Sequence, residues 1–331
     1  MKDQHVKKAL FVSLALAGAF VLSIAHAATI TGNFSNNPLS DGWQIFGDTN
    51  LFQWDSTNHQ LAVTWDSSQT NSYFYHPLGT ILAKDDDFSL SFDLQLNNAT
   101  AYGYGFELAI SLLNFADATS TNLQRGVGID PAFGARSVAE FDYFPDAGFG
   151  ATISPTMISS NNQFASAFDF PLELTNGVSF HIVMTYTASN QTFSTLITNN
   201  NNGQPFGPID DVPINSYGTS FSDFRLDTVA ISSYSDTNSY GSILAHGIVD
   251  NMVVILPPPP VQDLTEAFSN GIWQVQFVSR SNWLYAIERT TDFQSWTNIS
   301  TAIVGNATNL FLQDTNPPAD KAFYRVSAER P

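Results

Sequence analysis

Residues 88–96 alternate strictly between apolar and polar side chains, and this pattern constrains the fold more than any other feature of the sequence. The apolar positions are Phe88, Leu90, Phe92, Leu94 and Leu96. Successive side chains of a strand point to opposite faces of its sheet. The segment therefore predicts an antiparallel strand with one face buried and the other wet.

Similar segments, rich in aromatic and β-branched residues, recur up to residue 256 between clusters of Asn, Ser, Asp, Gly and Pro. The predicted strands are 60–65, 72–76, 88–96, 105–113, 126–129, 137–143, 178–186, 192–198, 221–231 and 248–256. No segment carries a convincing helical pattern. We therefore predict an all-β chain whose large domain is a two-sheet jelly-roll sandwich.

Four consecutive prolines mark the domain boundary, because neither a helix nor a central strand can run through them. We predict a large sandwich at 28–256, a proline linker at 257–260 and a small β-sandwich at 261–331. Strands of the small sandwich are predicted at 273–278, 284–289, 296–301, 309–314 and 323–328. The large domain holds 4 basic and 22 acidic residues and the small one 5 and 7, so the acidity belongs to the first.

The first 27 residues predict a cleaved signal peptide. Lys2, Lys7 and Lys8 precede an apolar run at 9–24, and 25–27 read Ala-His-Ala, the small-x-small form of a cleavage site. The run is shorter than the roughly 20 residues of a transmembrane helix. We expect an exported chain, secreted or located at the cell surface or in the periplasm, with no membrane span once the leader is removed.

Composition excludes several functions. The 331 residues include no cysteine, which excludes thiol catalysis, disulfide scaffolds and cysteine-ligated metals. The formal net charge is -18, and nucleic acid is not an expected partner because its binding needs a basic surface. The sequence also lacks a Walker loop, a His-Glu-x-x-His motif and a Gly-x-Ser-x-Gly elbow.

An acidic run at 137–146 carries the strongest chemical signal. On a strand, Glu140, Asp142 and Phe144 share one face. Two carboxylates about 6 to 7 Å apart repel each other unless a cation, a shared proton or a sugar hydroxyl lies between them. The pattern is therefore compatible with a cation or ligand site, a catalytic pair, or a hydrogen-bonded structural pair.

This run resembles the metal-binding strand of L-type lectins of the concanavalin A kind, which reads Glu-x-Asp-x-aromatic-x-Asn. The resemblance implies that Glu140 and Asp142 are side-chain ligands and that Phe144 offers its main-chain carbonyl. Asp146 stands where the family has Asn. Oxygen ligands of this type suit calcium, so calcium is the cofactor that the resemblance implies.

The same run is similar to the catalytic strand of family 16 glycoside hydrolases. That resemblance implies Glu140 as nucleophile and Asp142 as assisting residue, but places the acid/base glutamate at Phe144 or Pro145, which cannot donate a proton. Asp146 is the remaining acid of the run. A glycoside hydrolase or polysaccharide lyase is therefore the alternative function, with Glu140, Asp142 and Asp146 as its catalytic residues.

Two broader resemblances concern the fold. Segments spread over residues 30–256 resemble the layout of concanavalin A-like sandwich domains, which implies a glycan as the ligand class. The pattern of aromatic and polar residues from 285 to 326 resembles the C-terminal fibronectin-like modules of secreted bacterial surface proteins. Such modules serve as spacers or attachment units, so the resemblance implies an accessory role for the small domain.

Sugar binding needs flat aromatic surface beside hydrogen-bonding groups. The aromatic candidates are Trp43, Trp54, Trp65, Tyr73, Tyr75, Tyr102 and Tyr104. From these the predicted ligand-binding residues are Tyr102, Tyr104, Trp43 and Trp54, and the alternate glycines beside Tyr102 and Tyr104 favour an exposed loop. We therefore predict a non-catalytic protein whose large sandwich binds a glycan or surface polysaccharide. A structural surface protein without a small ligand is the third possibility.

Overall fold

The structure, a computed structural model, describes residues 28–103, 107–121, 123, 125, 134–146, 150–235 and 241–331. At 102–103 and 241–242 only the backbone is described. The predicted signal peptide at 1–27, the predicted strand at 126–129 and Tyr104 lie outside these ranges. The chain divides into two compact units between Pro258 and Pro259, within the proline run.

The described part of the large unit is built from strands joined by short helical turns. Its strands are β1 (Thr29–Gly32), β2 (Gln44–Phe46), β3 (Phe52–Asp55), β4 (Gln60–Asp66), β5 (Ser72–Leu82), β6 (Phe88–Gly103), β7 (Leu108–Leu113), β8 (Val138–Phe144), β9 (Thr152–Ile158), β10 (Phe164–Ser166), β11 (Ser179–Thr187), β12 (Thr192–Asn199), β13 (Gln204–Phe206), β14 (Val212–Pro213), β15 (Leu226–Ser233) and β16 (Gly241–Ile255). The helical elements are α1 (Phe115–Ala118) and 3-10 turns at Pro38–Ser40, Thr49–Leu51 and Ile214–Ser220. In the described part of the chain, no helix is long and apolar enough to cross a membrane.

Two antiparallel sheets form the described part of the large unit. The nine-stranded sheet has the order β13-β12-β11-β6-β16-β4-β3, with β1 paired to β16 and β14 to β12. The seven-stranded sheet has the order β10-β9-β8-β7-β15-β5-β2. Phe92 of β6 packs edge-on against Phe141 of β8, with ring centroids 5.7 Å apart, and both belong to one buried core. The sheets therefore face each other as a sandwich.

The alternating segment at 88–96 forms the first part of β6, between β11 and β16 in the nine-stranded sheet. Its five apolar side chains are buried, whereas the polar side chains between them are half-buried. The predicted strand and its buried face are confirmed, because the apolar face of β6 is covered by the second sheet.

Seven strands build the small unit. They are β17 (Val261–Ser269), β18 (Ile272–Ser279), β19 (Leu284–Thr290), β20 (Thr297–Asn298), β21 (Ile303–Val304), β22 (Asn309–Asp314) and β23 (Phe323–Glu329). One sheet has the order β17-β18-β22, and the other joins β20, β21 and β23 to β19. A separate core centred on Trp273, Phe277, Trp283 and Tyr285 holds this unit together. The all-β fold class is confirmed, and the fibronectin-like assignment stays a prediction.

Candidate functional site

The two acids of the predicted site lie where the strand pattern places them. Glu140 and Asp142 belong to β8, and Phe141 between them faces Phe92 in the core. Alternation along the strand points both carboxylates to the outer face of the seven-stranded sheet. Both side chains are nevertheless buried, with exposed fractions of 0% and 1%. The groups that cover this face therefore determine what the pair can do.

Arg125 places its guanidinium between the two acids. Its Nε and Nη2 donate to Glu140 Oε2 at 3.1 and 3.0 Å, and Nη2 also donates to Asp142 Oδ2 at 3.0 Å. A third carboxylate oxygen, Glu107 Oε1, lies 3.5 Å from Arg125 Nη1. The hydroxyl of Tyr234 donates to Glu140 Oε1 at 2.6 Å. We call these five residues the Arg125 cluster.

Burial controls protonation in the Arg125 cluster. It raises the pKa of Asp142 well above that of an ordinary carboxyl, and the neighbouring Glu140 raises it further. Asp142 Oδ1 has no hydrogen-bond partner among the described residues, which also disfavours the ionised form. Burial opposes the charge of Arg125, but Asp142, Glu107 and Glu140 raise its pKa well above the ordinary value. The surroundings therefore favour the charged form of Arg125 and, compared with an exposed carboxyl, the neutral form of Asp142.

The acid pair does not fit the calcium ion that the lectin-like pattern implies. Calcium takes roughly six to eight oxygen ligands, whereas here one guanidinium nitrogen bonds to both Glu140 and Asp142. Phe144 ends β8 half-buried, and Asp146 lies beyond it on the exposed surface. Within the described ranges, no three acidic, histidine or cysteine side chains are grouped to hold a metal. The charge partner of the pair is an arginine of the chain itself.

The hydrolase alternative depends on the same acids, which are buried and already hydrogen-bonded within the protein. A nucleophile must contact the substrate, but Glu140 and Asp142 are covered and their oxygens are bonded to Arg125 and Tyr234. Asp146 is exposed, yet it follows the end of β8. Within the described part of the acidic run, the structure therefore offers no exposed pair of carboxyl groups for hydrolysis.

The structure corrects the prediction for Trp43. This residue is 3% exposed and stacks on Phe74 in the core, with ring centroids 4.9 Å apart, so it presents no free face to a sugar. Trp54 is half-buried, and its Nε1 donates to the backbone oxygen of Phe34 at 2.9 Å. Tyr102 lies in β6, but its side chain is outside the description, so its predicted role stays a prediction.

A different group of aromatic side chains lies together on the outer face of the seven-stranded sheet. Tyr75 of β5 stacks on Phe115 of α1, with ring centroids 4.2 Å apart and an interplanar angle of 27°. Phe46 of β2 meets Phe115 edge-on at 6.0 Å and is 39% exposed. We call Phe46, Phe115 and Tyr75 the aromatic ridge. It combines rings from two paired strands and one helix at an edge of the sheet.

Local hydrogen bonds hold the ridge in place. Gln44 pairs with Tyr75 across β2 and β5, and the Tyr75 hydroxyl donates to Gln44 Oε1 at 2.9 Å. Asn114 caps α1, since its Oδ1 accepts from the backbone N–H of Asp117 at 3.1 Å. The backbone N–H of Phe115 donates to Asp227 Oδ1 at 2.9 Å. These contacts fix the two stacked rings against each other.

Cavities lie on both sides of the aromatic ridge. One has a volume of about 450 Å³ and is lined by Phe46 together with hydroxyl and amide side chains, among them Thr70, Asn71, Thr119 and Ser120. The other has a volume of about 500 Å³ and is lined by Tyr75 and Phe115 with Gln44, Thr80, Asp227 and Thr228. Among the described residues of the two linings, Asp227 is the one carboxylate, and none is a lysine, arginine or histidine. The surface thus joins aromatic rings to neutral hydrogen-bonding groups.

Two of the three ridge residues, Phe46 and Phe115, were not among the aromatic candidates from the sequence, and Tyr75 was a candidate but not one of the four predicted ligand-binding residues. A local signal was present, because Asn114 followed three residues later by Asp117 is a pattern that starts a helix. A capped turn that begins with a phenylalanine indicates a ring held near the surface. The partners of that ring depend on the pairing of β2 with β5, which the sequence pattern did not reveal.

Comparison with known proteins gives a likeness in fold. No protein-family model and no curated protein sequence matches the chain. The structure is similar to a seed lectin of Lotus tetragonolobus, at 14% identity and a TM-score of 0.45 over 70% of this chain and 100% of that one. It is also similar to lectin II of Ulex europaeus, at 14% identity and a TM-score of 0.45 over 70% and 98%. A third similar structure is arcelin-5, a lectin-like defence protein of Phaseolus vulgaris, at 12% identity and a TM-score of 0.41 over 71% and 100%.

Proposed function

We propose that this chain is an exported, non-catalytic glycan-binding protein and that its large unit binds a neutral polysaccharide along the aromatic ridge. The observation that carries the proposal is the ridge itself, a stacked pair of rings between two cavities lined by neutral polar groups. Sugar rings have apolar faces that pack on aromatic rings, and hydroxyl groups that need donors and acceptors. Both requirements are met side by side on this surface.

Charge favours a neutral ligand over an anionic one. The large domain has 4 basic and 22 acidic residues, and a surface of that charge repels acidic polymers. Of the residues that the structure describes, no lysine or arginine lines either of the two cavities beside the ridge. Uronic acid or sulfate groups would therefore find no cationic partner there, whereas neutral hydroxyl groups would find amide and hydroxyl partners.

Buried contacts connect the Arg125 cluster to the aromatic ridge. The Tyr234 ring packs against Tyr73, with centroids 6.0 Å apart, and the Tyr73 hydroxyl donates to the backbone oxygen of Ala118 in α1 at 2.9 Å. Phe46 of the ridge also contacts Tyr73 at 6.0 Å. A chain of buried contacts thus connects the acidic strand to the helix that carries Phe115. In this account Glu140 and Asp142 position the binding surface and do not touch the sugar.

A binding screen with a matched control tests the proposal. The full chain is run by affinity electrophoresis through gels that contain hydroxyethylcellulose, arabinoxylan, galactomannan or alginate. We expect at least one neutral polymer to retard the wild type and Tyr75→Ala to reduce that retardation, while alginate has no effect. Tyr217→Ala is the control, because Tyr217 is 42% exposed and lines neither cavity. Equal retardation of both variants, or new reducing ends in the polymer, would contradict the proposal.

A further inference from the structure

The small unit carries a groove lined by six aromatic side chains. They are Phe268, Trp273, Phe293, Trp296, Phe323 and Tyr324. The groove has a volume of about 600 Å³, within the range of small-molecule sites in proteins. We infer that this groove is a second glycan-binding site, specific for a neutral polysaccharide and independent of the aromatic ridge. The small unit would then take part in binding and not act as a spacer alone.

Three of the six rings are exposed to an extent that packing within the unit does not explain. Phe268 is 67% exposed, Phe293 is 61% exposed and Phe323 is 37% exposed. Large apolar side chains gathered at one exposed place usually mark a binding surface. The same unit buries Phe277 and Tyr285 almost completely, so it has a core of its own without these rings.

Ordered contacts hold the rings of the groove. Trp273 of β18 stacks on Tyr324 of β23, with centroids 3.9 Å apart and an interplanar angle of 7°, and this contact joins the two sheets. The Tyr324 hydroxyl donates to Asp314 Oδ2 at 2.9 Å, and Arg289 Nη1 donates to the same oxygen at 2.8 Å. Phe268 lies directly opposite Trp273 in the β17–β18 pair. The floor of the groove is therefore fixed before any ligand binds.

The loop that carries Phe293 is fixed in a conformation that is unfavourable for a bulky residue. Phe293 has a φ of 61°, in the left-handed region. Its N–H donates to Thr290 Oγ1 at 3.0 Å, and Asp292 Oδ1 accepts from the N–H groups of Gln294 and Ser295. In this conformation the ring centroids of Phe293 and Phe323 lie 3.9 Å apart. The loop thus holds an exposed ring against its neighbour on β23.

The polar groups of the groove favour a neutral sugar chain as the occupant. Glu266, Asp320 and Lys321 line it, so both signs of charge are present and neither an acidic nor a basic polymer is matched. The formal charge of the whole chain, -18, further opposes acidic glycans. Aromatic faces with mixed donors and acceptors at the side suit the apolar faces and hydroxyl groups of a neutral sugar.

Double variants of the full chain separate this groove from the ridge. Phe115→Ala weakens the ridge site, and Phe268→Ala or Phe293→Ala is added to remove an exposed ring from the groove. Phe311→Ala is the matched control, because Phe311 is a phenylalanine of the same unit, 52% exposed and outside the groove. Affinity for hydroxyethylcellulose, arabinoxylan and galactomannan is measured by affinity electrophoresis. Near-ultraviolet circular dichroism confirms that each variant is folded.

We expect the binding that remains in Phe115→Ala to fall roughly tenfold when either groove substitution is added, and to stay unchanged with Phe311→Ala. If Phe115→Ala alone abolishes binding of every neutral polymer, the groove inference is overturned and the proposed function stands. If Phe268→Ala and Phe293→Ala reduce binding but Phe115→Ala and Tyr75→Ala do not, the groove stands and the ridge proposal fails. Affinity unchanged by both groove substitutions also overturns the groove inference.

Discussion

Arg125 and Glu140 are joined by two hydrogen bonds, from Nε and Nη2 to the single oxygen Oε2, at 3.1 and 3.0 Å. The side chains are 7% and 0% exposed, so this ion pair lies inside the protein. A pair of acids that would suit a metal ion in another protein is thus held by an internal cation. The contacts of Tyr234 and Tyr73 then connect the pair to α1, the helix that carries Phe115 of the aromatic ridge.

Removing the cation should destabilise the large unit strongly. Arg125→Met leaves Glu107, Glu140 and Asp142 buried without their positive partner, and breaking a buried pair in this way costs about 3–5 kcal/mol. Urea denaturation at neutral pH measures the free energy of unfolding. Arg225→Met is the control, because Arg225 pairs with Asp223 at a site where both side chains are about one-third exposed. That variant should lose less than about 1 kcal/mol, and equal losses would contradict the account.

Calcium should have no effect on the wild type and a stabilising effect on a variant. Because the guanidinium already bonds to both acids, a chelator should leave the melting temperature of the full chain unchanged. Arg125→Ala removes this group and leaves the two carboxyl oxygens that shared its Nη2, on Glu140 and Asp142, without a cation, so added calcium should raise the melting temperature of that variant. Differential scanning calorimetry with and without calcium checks both results. A chelator that lowers the melting temperature of the wild type would show that the acid pair holds an ion.

The raised pKa of Asp142 predicts how the stability of the protein changes with pH. A carboxyl whose pKa is higher in the folded state contributes stability below its unfolded pKa of about 3.9, and that contribution is lost as pH rises through the folded value. Asp142→Asn mimics the neutral form, so it should gain stability relative to the wild type as pH rises above about 4. Urea denaturation from acid to neutral pH measures the difference. Asp211→Asn, at an exposed acid, is the control. The opposite trend would mean that Asp142 is ionised against Arg125.

The cap of α1 should affect binding without touching the ligand. Asn114→Ala removes the acceptor for the N–H of Asp117 and should cost about 0.5–2 kcal/mol of stability. Because α1 begins with Phe115, the same change should also weaken retention by the neutral polymer. Asn37→Ala removes a similar cap from the turn at Pro38–Ser40. Asn37→Ala should lose stability but keep its affinity for the polymer. If Asn37→Ala and Asn114→Ala lost the same affinity, the cap of α1 would have no particular effect on the ridge.

The strands were most predictable where alternation and burial agree. The 88–96 pattern predicts a strand that the structure confirms, because one face of β6 is covered by the second sheet. β9 was missed, since Pro155 interrupts its sequence and all seven of its residues are buried, which removes the alternation. β17 was missed because seven of its nine residues are exposed and mostly polar. The alternation of apolar and polar residues does not reveal a strand whose two faces are both buried or both exposed.

The proposed binding surface was less predictable than the fold, because its contacts join residues that are far apart in sequence. The sequence singled out Glu140 and Asp142 as a pair that needs a cation, a shared proton or a sugar hydroxyl between them, but it did not point to Arg125, which lies 15 residues before Glu140 and outside the strand. Tyr75 and Gln44 are separated by 31 positions and meet only through strand pairing. Trp43 was predicted as a ligand residue from its type alone, and packing places it in the core. Residue type identifies the chemistry, whereas tertiary pairing determines exposure.

The affinity for a neutral sugar chain shows whether the aromatic ridge binds glycan. An oligosaccharide of the neutral polymer that retards the wild type is titrated by isothermal calorimetry into wild type, Phe115→Ala and Phe168→Ala. Phe168 is 53% exposed and lines neither cavity beside the ridge, so it is the matched control. We predict that Phe115→Ala raises the Kd at least about tenfold, which is about 1.4 kcal/mol, and that Phe168→Ala leaves it unchanged. The same Kd in wild type and Phe115→Ala would contradict the claim.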